Sequence, residues 1–386
     1  MTPKEITYTN ARLVLADRVA TGSVVVRDGT IVAIDEGGAS ATNAAVEDIG
    51  GDYLLPGLVE LHTDHIESHY SPRPKVRWNP LAAVQAHDAQ IAASGITTVF
   101  DALRVGLDED AELTGEEMLA LANAIASAKA DDRLRADHFI HLRCEVSAPD
   151  CLRSFRLLED HPLVGLASLM DHAPGQRQFA SLAAYRHYYQ GKLKMSDAEL
   201  EAFSARRIRD SEQYSSLHRN LIATACHERD VAVASHDDAT LDHVGEAVAQ
   251  GIEIAEFPTT MDAATASHSA GMAVLMGAPN IVRGGSHSGN VPARALAEAG
   301  VLDILSSDYV PFSLMQAVFT LSREVPEIDL PSAVRMVSKT PAEAVGLVDR
   351  GEIAVGRRGD FVRVQMDADG TVPVVRSVWR QGRRVI

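Results

Sequence analysis

The stretch Leu54-Leu55-Pro56-Gly57-Leu58-Val59-Glu60-Leu61-His62-Thr63-Asp64-His65 decides how this chain folds. Its apolar run, residues 54–61, predicts a buried strand that has His62 and Asp64 at its end. Residues two apart in an extended chain point to the same side, so this imidazole and this carboxylate share a face. Such a pair at the carboxyl end of a strand can bind one divalent metal ion. We therefore interpret the rest of the sequence as the source of further ligands and of a substrate pocket.

The size and charge of the chain limit what it can be. With 386 residues, of which 46% are hydrophobic, it can bury more than the core of one ordinary domain. One large α/β barrel with a smaller companion is a natural division. The formal net charge of −17 argues against nonspecific binding to nucleic acid or to an anionic membrane, because both need a basic face. An anionic small substrate would need a local cluster of basic residues.

The sequence predicts no membrane span and no secretion signal. No apolar run reaches the roughly 18 residues that a membrane helix needs. The start, residues 1–5, has no apolar segment behind a basic one. Cys144, Cys151 and Cys226 are scattered and form no C-x-x-C pair. A reducing, cytoplasmic location is therefore the expectation.

Both ends of the chain have the pattern of antiparallel strands. Residues 6–36 alternate apolar and polar positions around short turns, and Asp28-Gly29 is a strong hairpin signal. Residues 360–385 repeat this pattern around a turn at 367–370. We expect residues 1–53 and 345–386 to form one small β-sandwich domain, with a barrel of residues 54–344 inserted between them.

The middle of the chain alternates short apolar strands with helical stretches, which is typical of a parallel sheet. Strands are predicted near 55–62, 96–102, 139–146, 163–170, 231–236, 252–257, 273–278 and 304–308. Eight such strands close a (β/α)8 TIM-like barrel, so the predicted class is α/β. The long connection over 174–230 is expected to form a lid or an excursion over the barrel mouth.

Polar residues able to bind metal recur where five of these strands end. In strand order they are His62 and Asp64, then Glu145, then Asp171 and His172, then His236, Asp237 and Asp238, and last Asp308. Active sites of such barrels lie at this face. A single histidine in such a position is more often a packing or capping residue. Five strands that end alike make coincidence the weaker interpretation.

Longer motifs carry a resemblance to a known family. They are residues 62–69 (HTDHIESH), 87–90, 95–103, 170–179, 256–260 and 276–290. Together with the strand ends, they resemble the amidohydrolase superfamily of metal-dependent hydrolases. Within it, the sequence is most similar to the PhnM family, the diphosphatases of the carbon–phosphorus lyase pathway for phosphonates. The resemblance spans essentially the whole chain, including the β domain that is split between the termini.

The resemblance implies six metal ligands. His62 and Asp64 would bind the more buried ion, and Asp64 stands where relatives more usually have a second histidine. Glu145 would bridge two ions, and the second ion would be held by His172 and His236. Asp308 would bind the first ion and act as the catalytic residue that shuttles the proton of the water. One or two divalent ions are expected. Zinc is favoured over manganese, iron or nickel, all of which suit nitrogen and oxygen ligands.

Basic residues near the predicted barrel mouth are candidates for binding phosphate. Three cations at 73–77 follow the first strand; such a run is usually a solvated turn, but its place beside the metal strand favours binding. Glycines at 284–289 let backbone N–H groups approach phosphate oxygens. The candidate substrate-binding residues are Arg73, Lys75, Arg77, Arg177, Arg283, Ser286 and His287.

The resemblance implies a phosphorylated ribose phosphonate as the small-molecule partner. The family cleaves α-D-ribose 1-methylphosphonate 5-triphosphate to the 5-phosphate and diphosphate. An alternative is an amidohydrolase that acts on a cyclic amide or on an N-acetylated amino-sugar phosphate. A non-catalytic subunit on the same scaffold is a third hypothesis, which the presence of all six ligands disfavours. No nucleic-acid or membrane partner is expected, and a homo-oligomer is left open.

Overall fold

The computed structural model describes residues 5–37, 45–107, 113–177, 196–286 and 288–386. Two predictions made from the sequence concern residues outside these ranges. They are the phosphate-binding role of His287 and the part of the predicted lid at 178–195.

Strands from both ends of the chain come together, as predicted, and they form one mixed sheet. Its order is β16-β15-β14-β5-β1-β2-β3, and β4 pairs with β1. The ring of Tyr8 lies 5.4 Å from that of Phe361 and 5.1 Å from that of Trp379, so the two termini share a core. The strands are β1 (Glu5–Val14), β2 (Val19–Arg27), β3 (Thr30–Glu36), β4 (Ala45–Asp48), β5 (Tyr53–Pro56), β14 (Phe361–Met366), β15 (Pro373–Arg380) and β16 (Arg383–Arg384).

The chain passes from this sheet to the barrel at Gly57. The sequence predicts one strand over 54–61, but β5 belongs to the terminal sheet and the first barrel strand, β6, runs from Leu58 to Thr63. A Cβ at Gly57 would lie 2.2 Å from the Thr97 hydroxyl, so only glycine fits this close crossing. The predicted division into domains at residues 53 and 344 stays a prediction.

Eight parallel strands form the second sheet and follow one another in chain order, which confirms the predicted barrel. They are β6, β7 (Ile96–Val105), β8 (Asp137–Glu145), β9 (Val164–Met170), β10 (Ala232–His236), β11 (Ile254–Glu256), β12 (Ala273–Gly277) and β13 (Ile304–Ser306). An isolated bridge between Thr63 and Asp308 joins the last strand to the first. The barrel is therefore nearly closed, and its seam lies beside the predicted ligands His62, Asp64 and Asp308.

Helices surround the barrel, and their apolar faces pack against its outer surface. They are α1 (His65–Tyr70), α2 (Pro80–Ala93), α3 (Gly115–Ala130), α4 (Cys151–Leu158), α5 (Asp197–His227), α6 (Leu241–Ala249), α7 (Met261–Ser269), α8 (Ala278–Arg283), α9 (Ala293–Glu298), α10 (Ser313–Glu324), α11 (Leu330–Arg335) and α12 (Lys339–Ala344). Of the described helices, none is long and apolar enough to cross a membrane.

The longest described helix, α5, covers much of the connection for which a lid was predicted. A capping box starts it, because the Ser196 hydroxyl accepts from the Glu199 N–H and the Glu199 carboxylate accepts from the Ser196 N–H. Its inner face places Arg207 3.2 Å from Glu145, and Ser211 2.6 Å from Asp171. Helix α5 therefore packs over the ends of the third and fourth barrel strands.

An ion-pair cluster joins the C-terminal segment to the amino end of the barrel. Asp137, the first residue of β8, lies 2.6 Å from Arg358, 3.1 Å from Arg350 and 3.2 Å from Arg380. This end of β8 is opposite the end that carries Glu145. The terminal sheet is thus attached away from the predicted metal ligands.

Candidate metal centre

The carboxyl ends of the barrel strands surround a cavity of about 280 Å³. Five of the six predicted metal ligands line it, and Asp237 is a sixth residue of ligand type. The six are His62, Asp64, His172, His236, Asp237 and Asp308. They come from four different strand ends, and the barrel brings them together.

The first group of ligand-type atoms is formed by His62, Asp64 and Asp308, which lie within 4.8 Å of one another. His62 Nε2 lies 3.4 Å from Asp64 Oδ1. Burial raises the pKa of Asp64, but the charges of Arg143 and His62 outweigh it and hold the pKa well below its usual range. Arg143 Nη1 is 2.7 Å from Asp64 Oδ1. Asp64 is therefore ionised and oriented near neutral pH.

The second group is formed by His172, His236 and Asp237, again within 4.8 Å of one another. Asp237 Oδ2 lies 3.4 Å from His236 Nε2 and 3.7 Å from His172 Nε2. The rings of His62 and His236 are stacked at 5.8 Å, so the two groups are neighbours in one cavity. Two imidazoles and a carboxylate form a donor set that suits zinc and other divalent transition metals.

Two buried glutamates hold the other nitrogens of these three rings. Glu256 accepts from His62 Nδ1 at 2.7 Å and from His236 Nδ1 at 2.6 Å. Glu145 accepts from His172 Nδ1 at 2.6 Å. Carboxylates in this position orient metal-binding histidines and leave Nε2 free to bind the ion. Glu256 opens the motif at 256–260, and no role is predicted for it from the sequence; a carboxylate at the end of the apolar strand β11 is the signal that could have identified it.

The structure gives Glu145 a different place from the bridging position expected of it. Among the described residues, Glu145 belongs to no group of three ligand atoms and does not line the cavity. Its carboxylate also accepts from Ser147 at 2.6 Å, from the His172 N–H at 3.1 Å and from Arg207 at 3.2 Å. Arg207, from the long helix α5, is one of the donors that hold the Glu145 carboxylate in this position.

The charges of the glutamates and histidines depend on each other. Burial raises the pKa of Glu145 and Glu256, but the facing imidazoles outweigh it, and both pKa values end well below the usual range. Burial lowers the pKa of His62 and His172, but the carboxylates raise them overall, to about 10 and about 9. A divalent cation would displace these protons, since it binds the same nitrogen lone pairs. The donor set therefore fits a cation.

Three of the strand-end residues have a left-handed backbone. The φ angles are 59° at Asp237, 55° at Phe257 and 53° at Asp308. Such conformations are costly for residues other than glycine and often occur at functional sites.

Burial and the neighbouring Asp64 carboxylate raise the pKa of Asp308. Asp308 is therefore a carboxyl group suited to accept and release a proton.

The predicted substrate-binding residues fall into two sets. Arg283 and Ser286 line the cavity, whereas the exposed turn with Arg73 and Lys75 does not contribute to its lining. Arg77 lies 2.6 Å from Glu117 on α3. The basic turn therefore lies outside the cavity lining, beside the first turn of α3.

Arg177 has a different place from the predicted one. It is 4% exposed and pairs with Asp238 and Glu246 in the wall of the barrel, away from the cavity lining. These two carboxylates already neutralise its charge.

A cation that sequence reasoning missed is Arg143, which lines the cavity. On β8, the residues Phe139, His141, Arg143 and Glu145 are spaced by two, so all four side chains point to the barrel interior. That spacing was the signal that could have identified Arg143.

Two further groups of possible ligands are hydrogen-bonded inside the fold. His87, Asp101 and His138 lie buried between α2 and the barrel, and Asp101 accepts from both rings at 2.7 Å. His141, which neighbours His62 and Glu256, has partners for both nitrogens, namely the Leu61 carbonyl and the Ser168 hydroxyl. These contacts are those of structural networks.

Comparisons with known proteins agree with this geometry. The model of the family described as "Amidohydrolase family" matches residues 81–386. The chain is 47% identical to the α-D-ribose 1-methylphosphonate 5-triphosphate diphosphatase of Escherichia coli K12, over 97% of this chain and 99% of that protein. It is 23% identical to an imidazolonepropionase of Deinococcus deserti, over 95% of this chain and 93% of that one.

Solved structures of low sequence identity share the fold. N-acetylglucosamine-6-phosphate deacetylase from Pasteurella multocida superposes with a TM-score of 0.64 at 14% identity, covering 98% of this chain and 99% of that one. A 5-methylcytosine deaminase from Klebsiella pneumoniae gives a TM-score of 0.63 at 15% identity, covering 98% of each.

Proposed function

The chain belongs to the amidohydrolase family, and from that premise we propose that it is a metal-dependent diphosphatase. Its substrate is α-D-ribose 1-methylphosphonate 5-triphosphate, the molecule named for the E. coli relative. The products are the 5-phosphate and diphosphate, and the reaction belongs to phosphonate catabolism by the carbon–phosphorus lyase route. The observation that carries this proposal is the convergence of two ligand groups and two arginines, Arg143 and Arg283, on one cavity.

The geometry of the cavity supports a metal centre there. His62, Asp64 and Asp308 would hold one divalent cation, and His172 and His236 would hold a second. Nitrogen and oxygen donors without thiolate favour zinc, with manganese, iron or nickel as alternatives. When bound, such cations would lower the pKa of water and offset the charge that develops on the phosphoryl oxygens.

The protein's own residues carry the remaining tasks of hydrolysis. Asp308, at the seam of the barrel, accepts the proton of the attacking water; the water oxygen bonds to phosphorus as the bridging P–O bond breaks. The proton then passes to the leaving diphosphate. Arg283 and Ser286 contact phosphate oxygens at the mouth, and Arg143 adds positive charge deeper in the cavity.

Product analysis tests this proposal. Metal-loaded enzyme incubated with the 5-triphosphate is expected to release diphosphate and the 5-phosphate in equal amounts, which ³¹P NMR separates. Asp308→Asn is expected to lower kcat by at least about 100-fold, since general acid–base catalysis contributes roughly that much. The competing assignment, an amidohydrolase, is tested in parallel with N-acetylglucosamine 6-phosphate and a cyclic amide. Turnover of either, without diphosphate release, would reject the proposal.

A further inference from the structure

We infer that Asp237, and not Glu145, is the carboxylate ligand of the second metal ion. His172 and His236 are the other two ligands of this ion. Glu145 and Glu256 are positioning residues that accept hydrogen bonds from the Nδ1 atoms of the histidine rings. The inference rests on the metal dependence proposed above and goes beyond it, because it reassigns a bridging residue and adds a ligand.

The first step concerns which nitrogen of each ring is available. His62 and His236 donate from Nδ1 to Glu256, and His172 donates from Nδ1 to Glu145. A neutral imidazole that donates from one nitrogen presents a lone pair on the other. In all three rings the available nitrogen is therefore Nε2.

The second step concerns what those Nε2 atoms face. His236 Nε2 and His172 Nε2 lie 3.4 Å and 3.7 Å from the same atom, Asp237 Oδ2. His62 Nε2 stands in the same relation to Asp64 Oδ1, at 3.4 Å. Each group thus has the same design, in which a glutamate holds Nδ1 and an aspartate faces Nε2.

The third step concerns Asp237 itself. Its side chain is 7% exposed, yet Oδ2 accepts no hydrogen bond from any residue that the structure describes. A buried carboxylate oxygen that accepts no hydrogen bond is costly, and a cation would satisfy it.

The backbone at this position separates two adjacent aspartates. Asp237 has a φ of 59°, and its N–H donates to the Glu256 carbonyl at 2.8 Å. This turn directs Asp237 into the cavity, whereas Asp238 accepts from Ser235 at 2.8 Å and pairs with Arg177 in the wall. A strained conformation that aims one of two carboxylates at the cavity supports a ligand role.

Glu145 lacks the features that Asp237 has. Both of its oxygens accept hydrogen bonds, one from Ser147, Arg207 and the His172 N–H, and the other from the His172 ring. It is fully buried and absent from the cavity lining. A bridging role would require it to leave these donors.

Metal content of the purified holoenzyme, measured by inductively coupled plasma mass spectrometry, tests the inference. Asp237→Ala is expected to lose one of the two ions that the wild-type chain holds. Glu145→Gln is expected to retain both ions at saturating metal. Its affinity for the second ion is expected to fall by about 10- to 100-fold, the usual effect of removing the hydrogen-bond partner of a metal-binding histidine. Asp242→Asn, an exposed aspartate in the first turn of α6, is the matched control and is expected to change neither.

The opposite pattern would overturn the inference: Glu145→Gln losing an ion while Asp237→Ala keeps two, or a wild-type chain with one ion that Asp237→Ala does not alter. Circular dichroism checks that each variant is folded. Should Asp237→Ala not fold, Asp237→Asn replaces it, because asparagine keeps the side-chain volume. Its affinity for the second ion is expected to fall at least tenfold. An unchanged affinity would count against the inference. Metal content does not depend on turnover. An enzyme without diphosphatase activity whose Asp237 variant loses an ion would therefore reject the proposed function and leave this inference standing.

Discussion

One buried side chain, Glu256, connects the two groups of candidate metal ligands. Its two oxygens hold His62 and His236, which belong to different ligand groups. The carboxylate is also bonded by the Ser168 hydroxyl at 2.6 Å, so its position is set by the barrel interior. A change at this residue should therefore affect both ions, whereas a change at Glu145 should affect one.

The first prediction follows from this difference. Glu256→Gln is expected to lower the affinity for both ions by about 10- to 100-fold, because the amide cannot accept hydrogen bonds from two Nδ1–H groups as the carboxylate does. Competition with a chelator of known affinity measures this. Glu327→Gln, at an exposed site, is the control. Weakening of a single ion would contradict the shared role of Glu256.

A second prediction at this scale separates two arginines that the sequence ranked alike. Arg283→Ala is expected to raise KM for the 5-triphosphate by about 10- to 100-fold, since a hydrogen bond between charged groups contributes about 1.5–3 kcal/mol. Arg73→Ala is expected to leave KM unchanged, because Arg73 lies outside the cavity lining. Steady-state kinetics at saturating metal decides. A larger effect at Arg73 would restore the original assignment of the basic turn.

At the scale of elements, a buried network joins helix α2 to strands β7 and β8. His138 on β8 lies 2.7 Å from Asp101 on β7 and 3.3 Å from Asp88 on α2. Burial lowers the pKa of His138, but the two carboxylates outweigh it and raise the pKa to about 9. The protonated ring therefore stabilises the packing of the helix on the barrel.

The third prediction concerns pH. The pKa of His138 is higher in the folded state than in the unfolded state. Its contribution to the free energy of unfolding is therefore complete below about pH 6.5 and is lost as the pH rises towards 9. His138→Gln is expected to lower the free energy of unfolding by about 3 kcal/mol at pH 6, the scale of a broken buried pair. The difference from wild type should shrink by pH 10. Urea unfolding at both pH values measures it, and a difference that stays constant would contradict the charged state of His138.

For the whole molecule, the attachment of the terminal sheet depends on charge as well as on the apolar core. Asp137 collects Arg350, Arg358 and Arg380 at the amino end of the barrel. These arginines come from the C-terminal segment, so the cluster joins that segment to the middle of the chain.

The fourth prediction tests this attachment. Asp137→Asn is expected to lower the free energy of unfolding by about 2 kcal/mol, less than a fully buried pair would, because the side chain is partly exposed. Metal content should not change, since the metal ligands lie at the other end of the strands. Thermal unfolding and metal analysis check both parts. Asp131→Asn, an exposed partner of Arg133, is the control, and a loss of metal in Asp137→Asn would argue against separate ends.

The barrel and most of the residues that line its cavity could be predicted from the sequence because they depend on local patterns. An apolar run that ends in a polar residue reports a buried strand and the face where its end lies, and eight such runs imply closure. This pattern places His62, Asp64, His172, His236 and Asp308 among the strand-end candidates, since parallel strands place their carboxyl ends together. The family resemblance then distinguishes them from the other polar residues at the same strand ends.

The tertiary structure decided which polar atoms face each other inside that barrel. Asp237 and Asp238 are equivalent in the sequence, and a left-handed turn at Asp237 sends one to the cavity and the other to Arg177. From the sequence, Glu145 is a candidate metal ligand, but Arg207 from α5 donates a hydrogen bond to it. Arg177 is a candidate phosphate-binding residue, but it forms an ion pair with Glu246 from α6. These contacts join residues about 60 to 70 positions apart, and no local periodicity specifies such distant pairs.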